Sequence, residues 1–155
     1  MKEVIELLTK KHKKISTMES CTGGGVANAI TNIEGASSVL EFSAVTYSNE
    51  YKIKMGVDKA IIEKYSVYSL ETAKEMSKKI SDYTNANYGI GITGKMNKED
   101  INNPYGENNK IFISIYDRDN NKYYNKEIIA SQKTRKENKE LVINEIIYIL
   151  NNILK

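Results

Sequence analysis

The chain has 155 residues, a formal net charge of +3 and 40% hydrophobic residues, which suits a single core and leaves no room for two ordinary ones. Nearly all the positive charge is lysine, only Arg118 and Arg135 being arginines, and acidic residues are interspersed with it; a nucleic-acid binder gathers basic residues on one surface, so no nucleic-acid partner is expected. Cys21 is the only cysteine, which excludes an internal disulfide or a cysteine-based metal site, and with no signal peptide or membrane-length apolar run the expected location is the cytoplasm, with no membrane partner.

Val4, Ile5, Leu7 and Leu8 fall at helical spacing and predict a helix over roughly the first dozen residues. The dense basic run Lys10-Lys11-His12-Lys13-Lys14 then reads as a solvated helix end, where cations suit the helix dipole. A strand at Ile15 to Met18 leads into a turn and a second helix, Val26 to Thr31. Val39 to Tyr47 is β-branched and aromatic enough for a buried strand. Asp58 caps a short helix, and Ser69-Leu70-Glu71-Thr72 approximates a capping box opening a longer one through Ala73, Met76, Ile80 and Tyr83.

Tyr88 to Gly94 reads as a central strand leaving through a glycine turn. After a polar loop, Lys110 to Tyr116 is a strand, Asp119-Asn120-Asn121 a hairpin turn, and Tyr123 to Ile129 its return. Leu141, Val142, Ile146, Ile149, Leu150 and Ile153 form a wide apolar face on a last helix, which suits either the core or a subunit interface. The expectation is one α/β domain spanning residues 1–155: a three-layer α/β/α arrangement with a mixed, mostly parallel sheet and a C-terminal β-hairpin plus helix.

Glu19-Ser20-Cys21-Thr22-Gly23-Gly24-Gly25 occupies the strand-to-helix handover. Glycines let backbone approach a ligand closely, and free N–H groups at a helix start attract anions or a developing oxyanion. The Gly-Lys-Ser/Thr ending of a P-loop is absent, and so are the outer glycines of a hydrolase elbow. On the motif alone, a nucleophile seat and a turn for tight helix–strand packing both stand.

A second segment, Thr46-Tyr47-Ser48-Asn49-Glu50-Tyr51-Lys52, closes the Val39 to Val45 run. Together with Glu19-Ser20-Cys21-Thr22-Gly23-Gly24, with Gly35-Ala36-Ser37 between and Met55-Gly56-Val57 after, it resembles the CinA C-terminal domain family, the nicotinamide-nucleotide amidohydrolases. The resemblance implies hydrolysis of the carboxamide of nicotinamide mononucleotide to nicotinic acid mononucleotide and ammonia, in pyridine-nucleotide salvage. It implies Ser20 as nucleophile and Lys52 as base, with Tyr47 relaying a proton or orienting Lys52. Backbone N–H groups of Cys21 to Gly24 are the candidate oxyanion donors, and Cys21, Thr22, Gly23, Gly24, Thr93, Gly94 and Arg135 the candidate substrate-binding residues. Cys21 itself reads as a small buried residue behind the serine, and Thr22 as a helix cap or a substrate contact. His12 falls at the far end of the strand from Ser20, which disfavours a histidine triad. No metal or other cofactor is expected; the partner is the nucleotide substrate, and a homodimer or larger homo-oligomer of a standalone domain is implied.

Two places depart from the family pattern. After Thr93-Gly94 the family's Ile-Ala-Gly-Pro and glycine-rich loop are replaced by Lys95 to Asn103, with Pro104-x-Gly106 surviving. Either Lys95 and Lys98 hold the substrate phosphate by charge where glycine amides did so, or the domain is a silent nucleotide-binding or regulatory form; an amidase of changed substrate is a third reading. The family's arginine pair opening the last helix is matched by Arg135 and Lys139, which keeps charge but not bidentate geometry.

Overall fold

The computed structural model describes residues 1–96 and 101–155. The elements run α1 (Lys2–Lys10), β1 (Ile15–Glu19), α2 (Gly25–Thr31), β2 (Leu40–Val45), α3 (Asn49–Lys54), α4 (Lys59–Tyr65), α5 (Leu70–Thr84), β3 (Tyr88–Gly94), β4 (Lys110–Asp117), β5 (Lys122–Ile129) and α6 (Arg135–Leu154), with a 3-10 turn at Ala36–Ser38 before β2. One five-stranded sheet has the order β2-β1-β3-β4-β5. β1 pairs parallel with both β2 and β3, while β4 is antiparallel to β3 and to β5. Four strands therefore run one way and β4 alone runs back, as the mixed, mostly parallel expectation has it.

Alternation along each strand divides the side chains between two layers. Ile15, Tyr88, Ile90, Ile92, Ile111, Ile113 and Ile115 pack with α1, α2 and α6 through Val4, Leu8, Val26, Ile30, Val142, Ile146 and Leu150. On the opposite face Met18 and Ala44 meet Met76 and Ile80 of α5 and Val57. Val142, Ile146 and Leu150 of the apolar face of α6 are thus core, with Ile149 and Ile153 half-buried against it. Among the described residues, no helix is long and apolar enough to cross a membrane.

Caps account for most helix boundaries. Asp58, Ser69 and Thr134 each accept a backbone N–H at the start of α4, α5 and α6, and Thr134 with Glu137 forms a full capping box. α3 is the element the sequence reading missed: Ser48 caps it by accepting from Tyr51 N–H, and it falls where a turn was expected. At the basic run, Lys13 pairs with Asp119 and Lys14 with Glu41.

The contact between α5 and β3 depends on missing side chains. A Cβ on Gly91 would sit 2.2 Å from the Ala73 carbonyl oxygen, and one on Gly89 2.0 Å from that of Ser77. Backbone, not a movable side chain, is in the way, so the helix must lift off the sheet to admit a methyl group. Gly91→Ala is therefore expected to cost about 3 kcal/mol in urea-induced unfolding. Gly25→Ala, whose Cβ meets only the tip of Ile143 at 3.2 Å, is expected to cost less than about 1 kcal/mol.

Candidate active site

β1 ends in Glu19, which is 0% exposed. Its carboxylate folds forward over the start of α2. One oxygen accepts from Thr22 Oγ1 at 2.7 Å and from the N–H groups of Gly24 and Val26 at 3.1 and 3.0 Å. The other accepts from Ala27 N–H at 2.8 Å and Thr17 Oγ1 at 3.2 Å. A helix start leaves N–H groups unpaired and favours negative charge; here the protein supplies that charge itself. Gly23 and Gly24, at φ +62° and +89°, let the chain reverse tightly enough for one carboxylate to reach so many donors.

This arrangement corrects the expectation that the helix start is open to a ligand. Gly24 N–H belongs to Glu19, Gly23 N–H to the Ser20 carbonyl at 2.9 Å and Gly25 N–H to the Thr22 carbonyl at 3.2 Å. From Cys21 to Gly24, the N–H groups of Cys21 and Thr22 alone are bonded to no other residue.

Ser20 follows directly. Its N–H donates to Ile92 of β3 at 3.1 Å, and Glu19 O accepts from Thr46 N–H, just past β2, at 2.8 Å. The carboxyl ends of the three parallel strands are thereby tied at the turn, and that is where open α/β sheets take their ligands. α2 packs on one face and α5 on the other, so the connections from β1 to β2 and from β2 to β3 diverge there and leave a crevice.

Lys52 reaches Ser20 from within the protein. Ser48 caps α3, so the fourth residue of its first turn points inward, and Lys52 is 1% exposed. Its Nζ lies 3.1 Å from Ser20 Oγ and donates to the Thr46 carbonyl at 2.7 Å. Glu50, on the outer face of α3, pairs with Lys54.

A cleft of about 790 Å³ opens in front of Ser20, lined also by Cys21, Tyr47, Tyr68, Gly94, Lys95 and Arg135. Arg135, first residue of α6, donates to the Met96 carbonyl at 2.7 Å and to Tyr47 Oη at 3.2 Å. Tyr47 is 65% exposed and its hydroxyl is engaged by Arg135, not by Lys52, so an orienting contact on Lys52 is not what this structure has. Gly94 needs its lack of a side chain for another reason: a Cβ there would lie 2.6 Å from Lys110 O across the ladder to β4.

Four expected residues lie elsewhere. Thr93 is buried and donates to the Val67 carbonyl at 2.9 Å, because alternation turns it toward α5 and away from the cleft. Thr22 is buried with its hydroxyl spent on Glu19, and the cap residue of α2 is Gly24. Gly23 and Gly24 shape the turn and do not line the cleft; Lys139 of α6 reaches across Gly23, its Nζ 3.3 Å from where a Cβ would be. Lys98 lies outside the described residues.

The Cys21 thiol is pushed up to about 12 by burial, which outweighs the opposing influence of Lys52 and Arg135. It is therefore a protonated, poor nucleophile at neutral pH. Above pH 9, the ordinary thiol value, the unfolded chain loses this proton while the folded chain keeps it. The thiol then opposes folding increasingly toward pH 12 and has no effect below pH 9. Stability should thus fall less steeply over that window in Cys21→Ala than in the wild type, and iodoacetamide at pH 7.5 should leave the folded thiol unlabelled. Glu19→Gln, which sets an amide N–H₂ against donors, is expected to destabilise by about 2 kcal/mol or more in denaturant titration.

Known proteins resemble this chain in sequence and in fold. A putative competence-damage inducible protein of Thermoanaerobacter sp. strain X514 is 44% identical over 92 residues, which is 59% of this chain and 22% of that protein; the chain thus spans under a quarter of that relative's length. The crystal structure of a competence/damage inducible protein from Agrobacterium tumefaciens superposes with a TM-score of 0.84 at 27% identity, covering 96% of this chain and 92% of that one. A CinA superfamily protein from Klebsiella pneumoniae shares the fold at a TM-score of 0.89 and 20% identity, over 99% and 94% of the two chains. The family profile described as CinA C-terminal domain matches residues 1–154, and the chain belongs to that family.

Proposed function

We propose that the chain is a serine amidohydrolase that deamidates nicotinamide mononucleotide. The observation that carries this reading is the 3.1 Å approach of Lys52 Nζ to Ser20 Oγ at the floor of the cleft. A serine hydroxyl needs a base within hydrogen-bond reach, and Lys52 is buried where it can serve no surface purpose. Among the described residues no Asp or Glu lines the cleft, while Arg135 does, which suits an anionic substrate.

In this mechanism Lys52 acts as the free amine. One amine hydrogen is held by the Thr46 carbonyl, which turns the lone pair toward the Ser20 hydroxyl. Lys52 takes the hydroxyl proton as Ser20 Oγ bonds to the carboxamide carbon. The tetrahedral oxyanion is met by the unengaged N–H groups of Cys21 and Thr22. Collapse breaks the C–N bond, and Lys52 returns its proton to the leaving nitrogen, which departs as ammonia. Water then attacks the Ser20 ester, giving its proton to Lys52; as the acyl–Oγ bond breaks Lys52 returns that proton to Ser20 Oγ, and nicotinic acid mononucleotide leaves with serine and free amine both restored.

Ammonia release from nicotinamide mononucleotide by the purified protein tests this. Ser20→Ala and Lys52→Met should each lower kcat at least about a thousandfold, while Cys21→Ala should stay within about tenfold of the wild type. A wild type that is folded and releases no ammonia overturns the deamidase reading.

A further inference from the structure

Lys95 is 3% exposed and lines the cleft. Its Nζ rests 5.1 Å above the Tyr68 ring and 3.3 Å from each of the carbonyl oxygens of Pro104 and Gly106. Those are long contacts to neutral dipoles. No Asp or Glu among the described residues pairs with this ammonium. Burying a cation costs several kcal/mol unless an opposite charge compensates it, and this one is enclosed at the edge of a cavity without such a charge.

A second cation lines the same cleft. Arg135 donates to the carbonyl of Met96, the residue after Lys95, so the end of β3 and the start of α6 each present a positive group to it. The other natural seat for an anion, the start of α2, is filled by Glu19. A negatively charged group entering this cleft finds its compensation at Lys95 and Arg135 and nowhere on the turn that carries Ser20.

We infer that Lys95 is the counter-charge of a phosphate monoester on the ligand, held between Lys95 and Arg135 while the other end of the ligand lies at Ser20. The inference rests on the deamidase reading for the identity of that other end. It makes Lys95 a binding and specificity residue: the chain prefers a 5′-phosphorylated nucleoside over the same nucleoside without phosphate because only the former neutralises a buried ammonium.

Two measurements on Lys95→Met test it. In the first, kcat/KM is compared for nicotinamide mononucleotide and nicotinamide riboside. The variant should lose at least about 30-fold on the nucleotide, mainly in KM, and nothing on the riboside. In the second, thermal unfolding and calorimetry are run with ribose 5-phosphate. The wild type should bind it and gain stability; Lys95→Met should not bind it, yet should be no less stable than the wild type when ligand is absent, since a buried uncompensated charge has been removed. Equal losses on both substrates, a variant destabilised without ligand, or unchanged ribose 5-phosphate binding would each show Lys95 to be a pin for the 104–106 segment and overturn the inference. Should the wild type hydrolyse neither substrate, the deamidase reading falls while calorimetry still decides on Lys95: binding lost in the variant upholds the phosphate site, and no binding by the wild type ends it.

Discussion

A single buried carboxylate organises the catalytic end of this domain. Glu19 closes β1, and by gathering two hydroxyls and three backbone N–H groups it fixes how α2 leaves the sheet. Hydrogen bonds to a charged acceptor are the stronger kind, and the carboxylate itself is 0% exposed. The position of Ser20 follows, because it is the next residue and is tied to β3 through Ile92. Lys52 follows at one remove, since Thr46, which bonds Glu19 O through its N–H, holds the Lys52 amine through its carbonyl. Ser20 and Lys52 are thus brought together by backbone contacts at the ends of adjacent strands.

The same carboxylate divides labour within the site. A helix N-terminus beside a nucleophile would ordinarily compete for every anion in reach, phosphate and oxyanion alike. With Glu19 in place that competition is gone: the N–H groups of Cys21 and Thr22 are bonded to no other residue, while Lys95 and Arg135 line the same cleft. The 66–69 segment supports that far side. Ser66 adopts φ 74° and ψ 154°, a conformation that costs a residue with a side chain about 1–3 kcal/mol. Its carbonyl is held by Ser69 and Thr72 hydroxyls, and the strained turn delivers Val67 to Thr93 and Tyr68 to Lys95.

Much of this was legible in the sequence because periodicity and capping are local. The strands at Ile15, Tyr88, Lys110 and Tyr123, and the helices opened by Asp58 and Ser69, carry their boundaries in their own residues. Ser20 and Lys52 were legible through two motifs that share a family pattern. α3 was missed because six residues are too few to show a period, although Ser48 followed by Glu50 is a cap with an acidic first turn. Thr93 was misplaced since strand alternation, which turns it toward α5, only has meaning once the two faces of β3 are known. Glu19 escaped notice for a related reason: an acidic residue before a helix suggests dipole pairing, but its burial and its command of Gly24, Val26 and Ala27 depend on the reversal made by Gly23 and Gly24. Lys95 stands out in the sequence as a charge in place of the family's glycine-rich loop, but its burial shows only in the packing of Tyr68 and the 104–106 carbonyls around it.

The account stands on Ser20 as the atom that bonds to substrate with Lys52 managing its proton. The most direct measurement is rapid quenching of the protein with nicotinamide mononucleotide during turnover, followed by mass spectrometry of the peptide containing residues 19–22. An acyl ester on Ser20 that forms and decays at rates matching turnover, and is absent in Lys52→Met, is the expected result. Acyl transfer to Cys21, or steady ammonia release with no adduct on either residue, would contradict it.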